Sequence, residues 1–449
     1  MRPPQDITAV DADNFWVLLP EVLEHIAAAE YIGLDLEMTG IRLKDGISGR
    51  QEKLNIDEYY AAGVEAATAF QILEVGITCL RYRPEDKSYH WKSYNFQLAP
   101  WYLGHEPSNV ALAKVLDRRF SLSSNTVDFL RASRGDNLPD RVLKKGIAYL
   151  SRQETQDAYD NFIDPDARGT LAAINIDGES PAMRDFYASV RGQITSWLSE
   201  LEWNSQAYIN IENPQGDRLT TLQTRLIHQL LETEFAKQGL RGKLKSNSSF
   251  MQITVKGTDA DLEETLYRRL CGRELAVRHQ TGFRYVFEAL VGGDFAEEID
   301  VQLLLGPGTH SPGTIDAMER KLQSIEKRAK ARARVTIVHN SLFDLCFLYR
   351  SFVGDLPQTL TQFKLDLQAL FPRLVDTKYM ATRGGRELDP GMSLDQLYST
   401  VKRQRFPPIA PQVSPTKVCH YAGYDSWITA MAFLKLSWKF GQDRKLRKT

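Results

Sequence analysis

Cysteine is scarce in this chain: Cys79, Cys271, Cys346 and Cys419 are the only four among 449 residues. None pairs with another at C-x-x-C spacing, which argues against a zinc cluster or a disulfide framework and predicts buried, reduced thiols. Long apolar runs are missing too. No stretch approaches the roughly 20 apolar residues that cross a bilayer, and the start "MRPPQDITAV" lacks the basic and apolar regions of a secretory signal. The expected compartment is therefore cytoplasmic and/or nuclear. An excess of charge is also absent, with 56 Lys plus Arg against 57 Asp plus Glu. A polyanionic partner would have to be drawn by local patches and not by the field of the whole chain. What the chain does have is 43% hydrophobic residues, enough to bury the cores of two or three domains.

The apolar residues fall into readable periods. Leu19, Leu23 and Ile26 repeat at helical spacing behind the capping residues Asp13 and Asn14, with Pro20 placed in a first turn. Residues 31 to 38 then read as a buried strand. The segments "AFQILEVGITCLRYR" and "SYHWKSYNFQLAP" are rich in β-branched and aromatic residues and predict two more strands joined by a turn at Pro84 to Lys87, the antiparallel part of a mixed sheet. The pattern is helical from about 123 to 160 and turns polar near 175. Two amphipathic segments and the strand-like "SFMQITVKG" follow, which suggests a small α/β insertion. A helix from Thr314 to about Ala333 sets Ile315, Met318, Leu322 and Ile325 on one stripe. Lys321, Lys327, Arg328, Lys330, Arg332 and Arg334 crowd its later turns. Both a solvated basic face and a phosphate-backbone contact fit that run.

The chemistry begins in "YIGLDLEMTGI". Residues i and i+2 of a strand share a face, so Asp35 and Glu37 point the same way while Ile32, Leu34, Leu36 and Met38 line the other side. A divalent cation would hold two such acids together, but so would an arginine or solvent, and one Asp-x-Glu alone says little. Further acids appear at helix starts. "VTIVHNSLFDLCFLYRSF" runs a strand into His339 and Asn340 and puts Asp344 in the first turn of an apolar helix, and "VCHYAGYDSWITAMAFLKL" repeats the device with His420 and Asp425. A helix-start acid is often only a complement to the helix dipole. Asp376 in "VDTKY" competes as an acid ligand, and its place near a strand end favours a supporting role.

Asp35, Glu37, Asp344 and Asp425, with His420 five residues before the last, form the constellation of the DEDD exonucleases. The chain resembles in particular the poly(A)-specific ribonuclease family. The likeness rests on "FWVLLPEV", on Gly40 and Ile41 after the acids, on "VDFL" and "VLKKGIAYLSRQ" within 127 to 153, on "HNSLFD", on "FPRLVDTKYMAT" and on "HYAGYDSWITAM", all in the same order and over roughly two-thirds of the chain.

That resemblance implies an α/β fold, a ribonuclease-H-like DEDD exonuclease core with a mixed sheet, interrupted by a small inserted domain of the R-three-H type. The implied limits are 1–174 for the first part of the core, 175–262 for the insertion and 263–449 for the second part. Arg225 and His228 are three apart where the R-three-H signature spaces them by four, so an unrelated structural insertion is an alternative. The last stretch, "GQDRKLRKT", is expected to place the chain in the shorter branch without a C-terminal RNA-recognition domain. The implied activity is metal-dependent 3′-to-5′ hydrolysis of single-stranded RNA to 5′-mononucleotides, in trimming small-RNA 3′ ends. The rivals are a poly(A) deadenylase acting on messenger RNA, a DNA exonuclease, and a catalytically silent RNA-binding adaptor.

Two Mg²⁺ ions, replaceable by Mn²⁺, suit hard oxygen ligands, and the lack of Cys and paired His ligands argues against zinc. By resemblance Asp35 bridges the metals, Glu37 and Asp425 complete one site, and Asp344 supports the other. His420 acts as general base, Met38 and Ile41 contact the last bases, and His339 and Asn340 position the terminal nucleotide. A homodimer is implied in the same way.

Overall fold

The computed structural model describes residues 6–41, 55–100, 107–116, 118–128, 145–163, 173–200, 207–246, 248–255, 259–382, 391–410, 414–417 and 420–446. Its strands are β1 (Ile7–Val10), β2 (Tyr31–Met38), β3 (Ile72–Arg83), β4 (Ser88–Gln97), β5 (Tyr208–Glu212), β6 (Leu240–Lys245), β7 (Phe250–Val255), β8 (Val335–Val338), β9 (Leu374–Asp376) and β10 (Ile409–Ala410). Seven of them form one sheet in the order β1-β4-β3-β2-β8-β9, with β10 beside β4. β2, β3 and β4 are antiparallel, whereas β8 and β9 run parallel to β2 and β1 and β10 parallel to β4.

Connection length decides which pairs are which. β3 and β4 are joined at the expected turn, closed by Lys87 at φ 54° with Arg83 opposite Ser88, and so short a link forces antiparallel pairing. The parallel strands need crossovers, and the helices Pro312–Ala331, Leu342–Phe352 and Leu360–Leu370 supply them before and after β8. The result is a mixed α/β sheet with helices packed against it.

The helix Phe15–Ala28 packs Phe15, Leu19, Val22, Leu23 and Ile26 into the main core, each such burial being worth about 1.5–3 kcal/mol. Its start differs from the sequence expectation. Asn14 makes no capping bond to the helix; its Oδ1 accepts from Asp11 N at 2.9 Å and its Nδ2 donates to Ala9 O at 3.1 Å, which ties the turn after β1. Pro20 lies past the first turn, inside the helix. Helical structure over 123–160 is likewise only partial: 124–128 and Arg152–Ala158 are helical, Ile147 and Tyr149 make β-bridges, and 129–144 lie outside the described residues.

The basic helix is Pro312–Ala331, capped by Ser311. Arg328 pairs with Glu24 at 2.5 Å, Lys330 with Asp294 and Glu326, and Arg332 with Glu30 at 3.7 Å. Arg334 is buried and donates to Ala329 O at 2.8 Å. Four of its six late basic side chains are thus committed to protein partners, which favours an ion-paired surface over a phosphate contact. Cysteine use differs from expectation at one position: Cys79 and Cys346 are buried and free, but Cys271 is exposed. Cys419 lies outside the described residues. Among the described residues no helix is long and apolar enough to cross a membrane.

The chain divides into two compact units, one made of Met1–Phe162 with Arg273–Thr449 and the other of Ile163–Gly272. The smaller unit holds a three-stranded antiparallel sheet, β5-β7-β6, and the helices Pro181–Glu200 and Thr221–Thr233. Phe186, Val190, Ile194, Trp197, Leu230 and Met251 belong to its own core. Arg225 and His228 both sit on the second of these helices, half-buried.

Candidate active site

The site begins where a helix lies directly on the sheet. Gly33 is two residues before Asp35 on β2, and Gly76 faces Asp35 across the β2–β3 pair, so both glycines share the aspartate's face. A Cβ at Gly76 would stand 1.8 Å from Ala422 O, and one at Gly33 2.5 Å from Ser426 O. Only glycine lets the helix Ala422–Leu446 approach that closely. A polar seam fixes its height: Gly423 N donates to Asn95 Oδ1 at 2.7 Å, and Ser426 Oγ bonds Thr78 Oγ1 at 3.0 Å. Asp425, in the first turn of this helix, is therefore delivered beside β2.

The second acid-bearing helix, Leu342–Phe352, enters from β8 through Asn340 at φ 56°, just as His420 at φ 54° precedes the helix of Asp425. Asn and His tolerate this left-handed geometry better than most residues, and it turns each chain sharply into a helix whose first turn carries an aspartate. Asp376 locks the first of these turns. Its Oδ2 accepts from Ser341 N at 3.2 Å and its Oδ1 from Lys378 N at 2.8 Å. Its carboxylate is thus spent on backbone N–H groups, and it does not line the cleft.

A cleft of about 560 Å³ collects the rest: Asp35, Glu37, Met38, Ile41, His339, Asn340, Asp344, His420 and Asp425 all line it. Glu37, His420 and Asp425 each offer a ligand atom within 4.8 Å of the other two. Burial, then the charges of Asp425, Asp344, Glu37 and Glu74, hold the Asp35 carboxyl well above the usual carboxylate range. Burial raises Asp344 to about 7, opposed by its own backbone N–H and aided by Asp376. Both keep a side open to the cleft while protein encloses the others.

Burial also lowers His339 to about 4, so its ring is neutral near pH 7. Thr377 Oγ1 gives its proton to Val338 O at 3.1 Å, so His339 Nδ1, 2.9 Å from the same oxygen, is the donor there. That leaves Nε2 as the acceptor nitrogen. Lys417 is the one Lys or Arg among the described lining residues, and it pairs with Asp395 at 2.8 Å. Carboxylates crowded this way offer the hard oxygen donors that suit a divalent cation.

With this geometry in view, residues 10–433 match the CAF1 family ribonuclease. The chain belongs to the CAF1 ribonuclease family. Similar proteins include poly(A)-specific ribonuclease PARN of Danio rerio, 25% identical over 452 aligned residues that cover 95% of this chain and 59% of that protein. Poly(A)-specific ribonuclease PNLDC1 of Mus musculus is 24% identical over 454, with 95% of this chain and 71% of that protein covered. The chain therefore spans about three-fifths of the length of the Danio rerio relative. Among solved structures, S. pombe Pop2p in its Mg²⁺- and Mn²⁺-bound form is 11% identical with a TM-score of 0.40, over 96% of this chain and 92% of that one.

Several residues at the site of this CAF1-family chain escaped the sequence reading. Glu74 is 3% exposed, opposite Glu37 on β3, and its charge is one of those acting on Asp35. Its signal was available: it is the one charged residue in Ile72–Leu80, a run buried at every position. Thr126, Ser393, Asp395, Lys417 and Tyr424 also line the cleft. Tyr424 stands within the quoted "HYAGYDSWITAM"; the other four carry no motif signal, and only the fold brings them there.

Proposed function

We propose that this chain is a metal-dependent 3′-to-5′ exoribonuclease that trims single-stranded RNA ends to 5′-mononucleotides, and that small-RNA 3′ ends are its substrate. The observation that supports it best is the convergence of Asp35, Glu37, Asp344 and Asp425, from a strand and two helices, on one cleft. These four would hold two Mg²⁺ ions, with Mn²⁺ as a substitute. The ions, when bound, supply Lewis acidity at phosphorus and acidify the attacking water.

The protein's own groups do the rest. His420 takes the proton of the attacking water, a role that a neutral imidazole suits. Met38 and Ile41 give the terminal bases an apolar surface that reads no sequence. His339, neutral and with Nε2 able to accept, takes a hydrogen bond from a sugar hydroxyl and, with Asn340, positions the last nucleotide. Asp376 holds the start of the helix that carries Asp344. We further propose that residues 175–262 form an R-three-H-like insertion and that the chain acts as a homodimer.

A second reading has one specific support: the similar proteins of Danio rerio and Mus musculus are poly(A)-specific ribonucleases. In that reading the substrate is a messenger RNA tail. Incubating 5′-labelled RNAs with oligo(A) or mixed-sequence 3′ tails, with Mg²⁺ or with EDTA, tests both. Stepwise shortening in Mg²⁺ only, at similar rates on both tails, is the expected result. Strong preference for oligo(A) selects the deadenylase. Undiminished hydrolysis by an Asp35→Ala protein sinks the enzymatic assignment altogether.

A further inference from the structure

A second pocket, of about 540 Å³, shares its walls with the catalytic cleft. The helix Leu394–Val401 gives Leu394 and Asp395 to the first and Tyr398 to the second, and the helix Ala422–Leu446 gives Asp425 to the first and Trp427, Met431 and Lys435 to the second. The charge of the two spaces is opposite. Lys402, Arg403, Arg405 and Lys435 line the second pocket, and among the described residues no acidic side chain does.

Exposed basic turns are common, and Lys402, Arg403 and Arg405 alone would signify little. Lys435 differs. It is 8% exposed, its ammonium donates to Pro407 O at 3.1 Å, and it has no acidic partner among the described residues. Burial without a counter-charge lowers its pKa. A buried ammonium with a single carbonyl is poorly compensated, and an anion in the pocket would complete it. On the same helix and in the same lining, the Nε1–H of Trp427, 3% exposed, finds no acceptor among the described residues. The remaining lining is mixed: Trp91, Tyr398, Ile409 and Met431 give an aromatic and apolar wall, Gln404 and Ser414 add polar groups, and the volume is in the range of small-ligand sites.

We propose that this pocket binds a nucleotide, with its phosphate against Arg403, Arg405 and Lys435 and its base against the aromatic lining. Phosphate alone would use only the basic half, whereas a base with its phosphate uses both. A free mononucleotide and a nucleotide within an RNA strand offer the same chemistry. Only the choice of RNA as a source rests on the proposed function.

The test uses the full chain carrying Asp35→Asn, in EDTA, so that nothing is hydrolysed. AMP, inorganic phosphate and a short single-stranded RNA are titrated while tryptophan fluorescence is followed. Two backgrounds are compared with it: Arg403→Glu with Arg405→Glu, both at exposed positions, and Lys435→Met, which removes a buried charge at similar volume. Quenching by AMP or by RNA, weakened about tenfold or more in both backgrounds, is expected; response to AMP identifies a free nucleotide, and response to RNA alone identifies a strand. Equal affinity in all three proteins overturns the proposal, and so does inorganic phosphate binding as tightly as AMP. If the unmutated chain fails to hydrolyse RNA yet this dependence is seen, the pocket stands and the nuclease reading falls.

Discussion

Without the cations proposed for it, the acidic cleft should cost the fold stability, and Asp344 offers a measure of how much. Its carboxyl is raised from 3.8 to about 7, first by burial. The folded state therefore keeps a proton that the unfolded chain releases, so stability is fullest below pH 3.8 and is lost as pH rises through about 7. At about 1.36 kcal/mol per pH unit, the full span is about 4 kcal/mol, of which about 3 kcal/mol falls between pH 5 and pH 8. The side of Asp344 open to the cleft is screened by solvent, so about half of that, ~1–2 kcal/mol, is expected.

Asp344→Asn removes the titration and keeps the shape. In EDTA, the variant should gain on the parent by that amount as pH rises from 5 to 8, read as the difference between their urea midpoints. The difference cancels the titration of groups distant from the cleft; Asp35 feels the charge of Asp344, so its response is part of the difference that is read. Adding Mg²⁺ at pH 8 should stabilise the parent more than the variant. A gap between the two proteins that does not change with pH would refute the reasoning, because it would mean that Asp344 is not held in its protonated form by burial.

The other expectations are more direct. Gly76→Ala should destabilise the fold by about 1–3 kcal/mol or more, since its Cβ would meet the backbone oxygen of Ala422, and thermal unfolding will show whether the helix can yield. Asp376→Ala should lower stability by about 1 kcal/mol through loss of the bond to Ser341 N, with hydrolysis reduced but present because the carboxylate does not line the cleft. Asp35→Ala should lower hydrolysis by at least about a thousandfold at unchanged circular dichroism. Dialysis against EDTA should abolish hydrolysis, and Mg²⁺ or Mn²⁺ should restore it where Zn²⁺ does not.

Sequence alone determined the parts that rest on short-range periods. Alternation on β2 put Asp35 and Glu37 on one face, the turn at Pro84–Lys87 made β3 and β4 antiparallel, and apolar spacing set Asp344 and Asp425 at helix starts. All nine candidate residues line one cleft, yet their convergence was legible only through family resemblance, because no local period links β2 to helices hundreds of residues away. Tertiary structure decided what depends on approach between distant segments. It set Gly33 and Gly76 beneath a helix, turned Asp376 toward backbone N–H groups, and brought Glu74 beside Asp35. It also paired the basic helix with acids that its own sequence does not contain, Glu24 and Glu30. The physical reason is range: backbone geometry repeats over a few residues, whereas burial and charge depend on every atom nearby, whatever its place in the chain.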